Sequence, residues 1–110
     1  MKRIEAVIRP HRLVEVLTAL VKMQVGGVTV VDSLGFGRQP GHSEVYEEVR
    51  RGPNMEVGLV PKKLLIMIVE DGQVSSIVEA VTQIARTGHP GDGKISVSDV
   101  HQLVRIRDGI

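Results

Sequence analysis

The sequence predicts an α+β domain in which two β-α-β units pack into one four-stranded antiparallel sheet with both helices on one face. Three observations predict it. A helical periodicity flanked by two strand-like runs occupies the first third of the chain. The same order returns in the second half. Between them lies a polar insertion, glycine-rich at its start and without helical periodicity. A chain of 110 residues is long enough for one modest core, so residues 1–110 are read as a single domain.

Each element has its own warrant. RIEAVIR (3–9) alternates, with Ile4, Ala6 and Ile8 on one face and Val7 on the other, and Pro10 closes this strand. Leu13, Val16, Leu17, Leu20 and Val21 fall at helical spacing, which predicts an amphipathic helix over 12–23, ended by Gly26-Gly27. VTVVDSL (28–34) is β-branched and predicts the second strand. After the insertion, LLIMIV (64–69) reads as a buried strand. Val74, Ile77, Val78, Val81 and Ala85 mark the second helix, which Gly88 ends. ISVSDV (95–100) alternates as the fourth strand, and LVRIR (103–107) reads as a short edge strand. This order is the split βαβ, or ferredoxin-like, arrangement. Two helices cover one sheet face only. The other, carrying Val7, Val30 and Ile66, needs a cover, and self-association into a closed oligomer supplies it.

Composition narrows the function. A net charge of +1, one Phe, one Tyr and no Trp argue against a nucleic-acid binder. The absence of cysteine excludes thiolate catalysis and disulfides. MKRIEAVIR is no signal peptide, and Leu64–Val69 is too short to span a bilayer, so a cytoplasmic protein is expected. The four histidines (11, 42, 89 and 101) show no metal-ligand spacing, and no catalytic grouping stands out, so no enzyme is expected.

Two loops carry the chemistry. GFGRQP (35–40) starts like a dinucleotide fingerprint but has Pro40 at the last glycine position and no helix after it. TGHPGDGKI (87–95) holds G-x-x-x-x-G-K, yet Ile95 follows where a Walker motif needs Ser or Thr and a helix. Both motifs fail as written. Their physics remains, because successive glycines let backbone N–H groups converge on an anion, and Lys94 adds charge. Arg105 and Arg107 place two guanidiniums on one face of the C-terminal segment, a geometry suited to phosphate. Singly, each of these is an ordinary turn or a solvated face. Together they favour an anion site, with a nucleotide as the expected ligand.

MKRIEAVIRP, GFGRQPGH (35–42), VPKK (60–63), TGHPGDGKI (87–95) and VRIRDG (104–109) stand in the order and spacing of the PII signal-transduction proteins, which the chain resembles over nearly its whole length. The resemblance implies a homotrimer of ferredoxin-like subunits. ATP, with Mg²⁺, or ADP would bind in clefts between subunits, with 2-oxoglutarate as a second effector. Residues 37–61 resemble the long T-loop that docks on a target protein, a transporter or a metabolic enzyme, so any link to a membrane is indirect.

The resemblance also assigns roles. Gly35, Gly37, Arg38 and Gln39 match the loop base beside the nucleotide, with Thr29 at the end of the cleft. Gln39 matches the side chain that ligates Mg²⁺ and supports 2-oxoglutarate, and Lys62 the lysine that pairs with that effector. Gly91, Asp92, Gly93 and Lys94 match the second phosphate loop. Arg105 and Arg107 match arginines that reach the phosphates from across the cleft. The chain departs from the family pattern in its loop, which is longer and lacks the Y-x-G-x-x-Y segment: Tyr46 matches the first tyrosine, and YEEVRRGPNMEV offers no second. No modification site is expected there. His89 and Ser96 replace the lysine and aromatic residue usual at their positions. A trimeric ferredoxin-like family of divalent-metal tolerance is the alternative reading.

Overall fold

A computed structural model describes residues 1–37 and 59–110. The order is β1 (Lys2–Ile8), a 3-10 turn (Pro10–Arg12), α1 (Leu13–Lys22), β2 (Thr29–Gly35), β3 (Val60–Val69), a second 3-10 turn (Asp71–Gln73), α2 (Val74–Ala85) and β4 (Gly93–Asp99). The sheet runs β2-β3-β1-β4, and every neighbouring pair is antiparallel. This is the ferredoxin-like arrangement the periodicities predict.

The strand alternation sorts the faces as expected. Ile4, Ala6 and Ile8 from β1 and Leu65, Met67 and Val69 from β3 are buried beneath Val16 and Leu20 of α1 and Ile77, Val81 and Ala85 of α2. Helices of 10 and 12 residues are marginal alone in water, so tertiary packing holds them. Each fully buried aliphatic side chain contributes about 1.5–3 kcal/mol relative to exposure. That outweighs the few tenths of a kilocalorie by which helix propensities differ among most residues.

Several expectations need correction. Val21 does not join the buried stripe of α1 but is 75% exposed. Val30 pairs with Leu65 and so lies on the helix side, and it is Val31, opposite Leu64, that shares the uncovered face with Val7 and Ile66. Val60 and Pro61, assigned to the insertion, begin β3 instead. Proline is tolerated there because β3 pairs at that point with β2, whereas β1 pairs no further than Lys63. Residues 103–107 form no strand. The chain turns back so that Arg105 N–H donates to the Ile110 carbonyl at 3.0 Å and Gly109 N–H to the Arg105 carbonyl at 2.7 Å.

Gly26-Gly27 does not end α1 either. Val25 N–H donates to Leu20 O (3.1 Å) and Gln24 N–H to Val21 O (3.0 Å), a Schellman closure completed before the glycines. Gln24 takes the left-handed position at φ 63°, where glycine is the unstrained residue. Gln24→Gly is therefore expected to raise stability by about 1 kcal/mol. A rise in the urea midpoint at constant m-value checks it.

Candidate functional site

The antiparallel order brings the C-terminal ends of β1 and β2 beside the N-terminal ends of β3 and β4. Ile8 stands opposite both Lys63 and Gly93, and Gly35 opposite Val60. The two glycine loops, 58 residues apart from Gly35 to Gly93, thus meet at one edge of the domain. Between them lies a cavity of about 420 Å³, within the range of small-ligand sites. Its walls are of three kinds. Gly35, Gly37, Gly91 and Gly93 present backbone, Val7, Leu34, Phe36 and Leu64 form an apolar side, and Arg9, Lys62 and Lys94 supply positive charge.

The second loop is held by its own aspartate. The Asp92 carboxylate accepts from the Thr87 hydroxyl, from the N–H groups of Thr87 and Gly88 (each 2.8 Å), and from Arg9 Nε (3.1 Å). The Thr87 hydroxyl, these two amides and the Arg9 guanidinium keep its carboxyl below the usual carboxylate range, against the opposing effect of burial. The loop can close so tightly because Gly88, Gly91 and Gly93 all take positive φ. Asp92 therefore builds the site, and its oxygens are spent on the loop.

Lys62 stands between the loops. Its Nζ donates to the Gly91 carbonyl, while burial and the nearby Arg9 lower its pKa against the pull of Asp92. An anion entering the cavity would favour the charged ammonium. A lysine whose charge is poorly compensated in the folded protein is well suited to receive one.

The other expected residues are placed as follows. Gly35, Gly37, Lys62, Gly91, Gly93 and Lys94 come together at the cavity. Thr29 sits at the opposite end of β2, paired with Ile66 and about 20 Å from Gly35 along the strand. Arg105 and Arg107 lie in the C-terminal turn, and neither lines this cavity within one chain. The Arg107 side chain is 88% exposed, with Nε 3.4 Å from Asp108. Arg38 and Gln39 lie outside the described residues, as does most of the 37–61 insertion.

Arg9 is the residue that the sequence reading passed over. Its signal was present, since it shares the parity of Val7 and so cannot join Ile4, Ala6 and Ile8 in the core. Phe36 and Leu64 gave no such signal, because nothing local says that they face a cavity.

Among the described residues, no three His, Asp or Glu side chains cluster as metal ligands, and no helix is long and apolar enough to cross a membrane. Comparison with known proteins agrees with the fold. The family model described as "Nitrogen regulatory protein P-II" matches residues 1–110. A protein of that name from Porphyra purpurea is 49% identical over 107 residues, 97% of this chain and 92% of the relative. Those from Azospirillum brasilense and Microchaete diplosiphon are 46% and 47% identical over 109 residues, each covering 99% of this chain and 94% of the relative. Matched along its whole length by the family model and by these relatives, the chain belongs to the nitrogen regulatory protein P-II family.

Proposed function

We propose that this protein is a non-catalytic nitrogen regulator that senses adenine nucleotides and, through residues 37–61, controls a partner protein. The partner class that fits is a transporter or an enzyme of nitrogen or carbon metabolism. One observation carries the reading: glycine backbone, three cations and an apolar wall converge on one cavity. The glycine segments and Lys94 suit the phosphates of ATP or ADP, and Val7, Phe36 and Leu64 offer surface to an adenine or a carbon chain. Lys62 suits a carboxylate such as that of 2-oxoglutarate. Gln39 is the residue assigned to Mg²⁺ brought by ATP.

The cavity is open to the uncovered sheet face, and that face carries Val31, Leu64, Ile66 and Ile68. A homotrimer would cover it. Thr29, Arg105 and Arg107 would then reach the cavity of a neighbouring copy, which is why they need not line their own. Nucleotide and effector act on the loop only through different affinities for its conformations, a coupling of about 1–3 kcal/mol in typical systems.

Calorimetric titration with Mg-ATP, then with 2-oxoglutarate on the ATP-loaded protein, tests this. Binding of both, the acid only after ATP, is the expected result. Because an anion restores the charged form of Lys62, acid binding should take up protons as pH approaches the lysine range, and weaken above it. Measuring in two buffers of different ionisation enthalpy reads that uptake. No nucleotide binding at all would sink the proposal.

A further inference from the structure

Arg9 joins the second loop to the sheet across 83 residues of sequence. Its Nε donates to Asp92 Oδ1 at 3.1 Å and its Nη2 to the Pro90 carbonyl at 2.7 Å. Lys62 takes the next carbonyl, that of Gly91. Two successive peptide units therefore turn their carbonyls towards Arg9, the residue that follows β1, and Lys62 of β3. A peptide is planar and trans, so the N–H that follows each carbonyl points the opposite way. The orientation of the Gly91 and Asp92 amides is thus set from the sheet.

The same guanidinium has an electrostatic effect. Asp92 stands in a loop whose glycines line the cavity, and an uncompensated carboxylate there would repel a polyphosphate. The bonds from Thr87 and Gly88 fix the carboxylate but bring no net charge. Arg9 brings a full positive charge at hydrogen-bonding distance. Both cations lie close against the loop: a β-carbon at Gly91 would lie 3.3 Å from Arg9 Nη2 and 3.6 Å from Lys62 Nζ.

We propose that Arg9 is a positioning residue for this anion site, fixing the peptide units of residues 90–92 and cancelling the Asp92 charge. It thereby sets how steeply affinity rises with the phosphate charge of the ligand. The ligand half of this rests on the nucleotide reading above, whereas the loop half does not. A purely structural role and a charge role part in one respect. Loss of loop geometry weakens all nucleotides alike, while an exposed Asp92 charge penalises ATP more than ADP.

The test uses the full chain carrying Arg9→Met, Arg9→Lys, and Arg9→Met with Asp92→Asn. In the ligand-free protein, amide hydrogen exchange over residues 88–93 is expected to quicken about tenfold in Arg9→Met, as one charge-assisted bond is lost. At fixed salt, ATP affinity should fall by about tenfold or more and ADP affinity by distinctly less. Adding Asp92→Asn should return the ATP-to-ADP ratio towards that of the parent. Arg9→Lys should keep the ratio while the loop still exchanges faster, because lysine keeps the charge but not the fork. Unchanged exchange in Arg9→Met, or an equal loss for ATP and ADP, would overturn the proposal. If the parent protein binds neither nucleotide, the nucleotide reading fails, and the exchange measurement decides the role of Arg9 by itself.

Discussion

Replacing Gly93 with alanine is expected to destabilise the protein by about 3–5 kcal/mol, a large part of the 5–15 kcal/mol that a domain usually has. Two costs add. The residue sits at φ +112°, which an L side chain rarely adopts. A β-carbon there would lie 1.8 Å from the Val7 carbonyl oxygen and 2.8 Å from its carbon. Those atoms belong to the backbone of β1, a central strand paired on both sides, so they cannot swing aside as a side-chain tip would. Relief would come only by unpairing the start of β4 from Ile8, which would also displace Lys94. Overpacking of this kind costs about 1–3 kcal/mol, and strained backbone a similar amount. Gly72→Ala is the control: nothing lies within 4 Å of the added carbon, and its φ is not positive. It should stay within about 0.5 kcal/mol of the parent or gain slightly. Urea midpoints of the two variants check both expectations, and a Gly93→Ala shift below about 1 kcal/mol would refute the argument.

If the proposed nucleotide site is right, Lys94→Ala should weaken nucleotide binding about 10- to 100-fold while leaving the fold and the proposed oligomer in place. Lys94 stands opposite Val7 at the start of β4, on the uncovered face, and lines the cavity. Its side chain is exposed, and among the described residues it forms no ion pair, so folding does not depend on it. A hydrogen bond to a charged group contributes about 1.5–3 kcal/mol, hence the size of the loss. Arg107→Ala separates two versions of the site. Because Arg107 does not line its own chain's cavity, it should weaken binding only if a second copy delivers it. Loss in both variants supports a cleft completed between copies. Loss in Lys94→Ala alone confines the site to one chain. Unchanged affinity in both sinks the assignment. Titration calorimetry on variants of verified oligomeric size reads all three outcomes.

How much of this was legible beforehand differs by residue. Strand and helix positions were, because apolar spacing is local: Ile4, Ala6 and Ile8 declare a face within five residues. The glycines and Lys94 that line the cavity stand in equally local patterns, and the anion chemistry proposed for them starts from those patterns. Element ends were less so. Gln24 closing α1 in place of Gly26-Gly27 depends on two hydrogen bonds back into the helix, and residues 103–107 alternate like a strand yet pair with no strand among the described residues. A period-two pattern states which way side chains would face in a sheet, and says nothing about whether a sheet edge is within reach.

The sequence by itself determined the class of fold and the two-unit order, and it carries the glycine and lysine pattern on which the proposed anion site rests, since each depends on residues a few positions apart. Tertiary structure alone decided that the loops share one cavity, that Arg9 clasps Asp92, and that Gly93 must lack a side chain because Val7 lies against it. These contacts join the ends of different strands. They follow from the strand order β2-β3-β1-β4, and that order is fixed by burial of the whole apolar face rather than by any short stretch of chain.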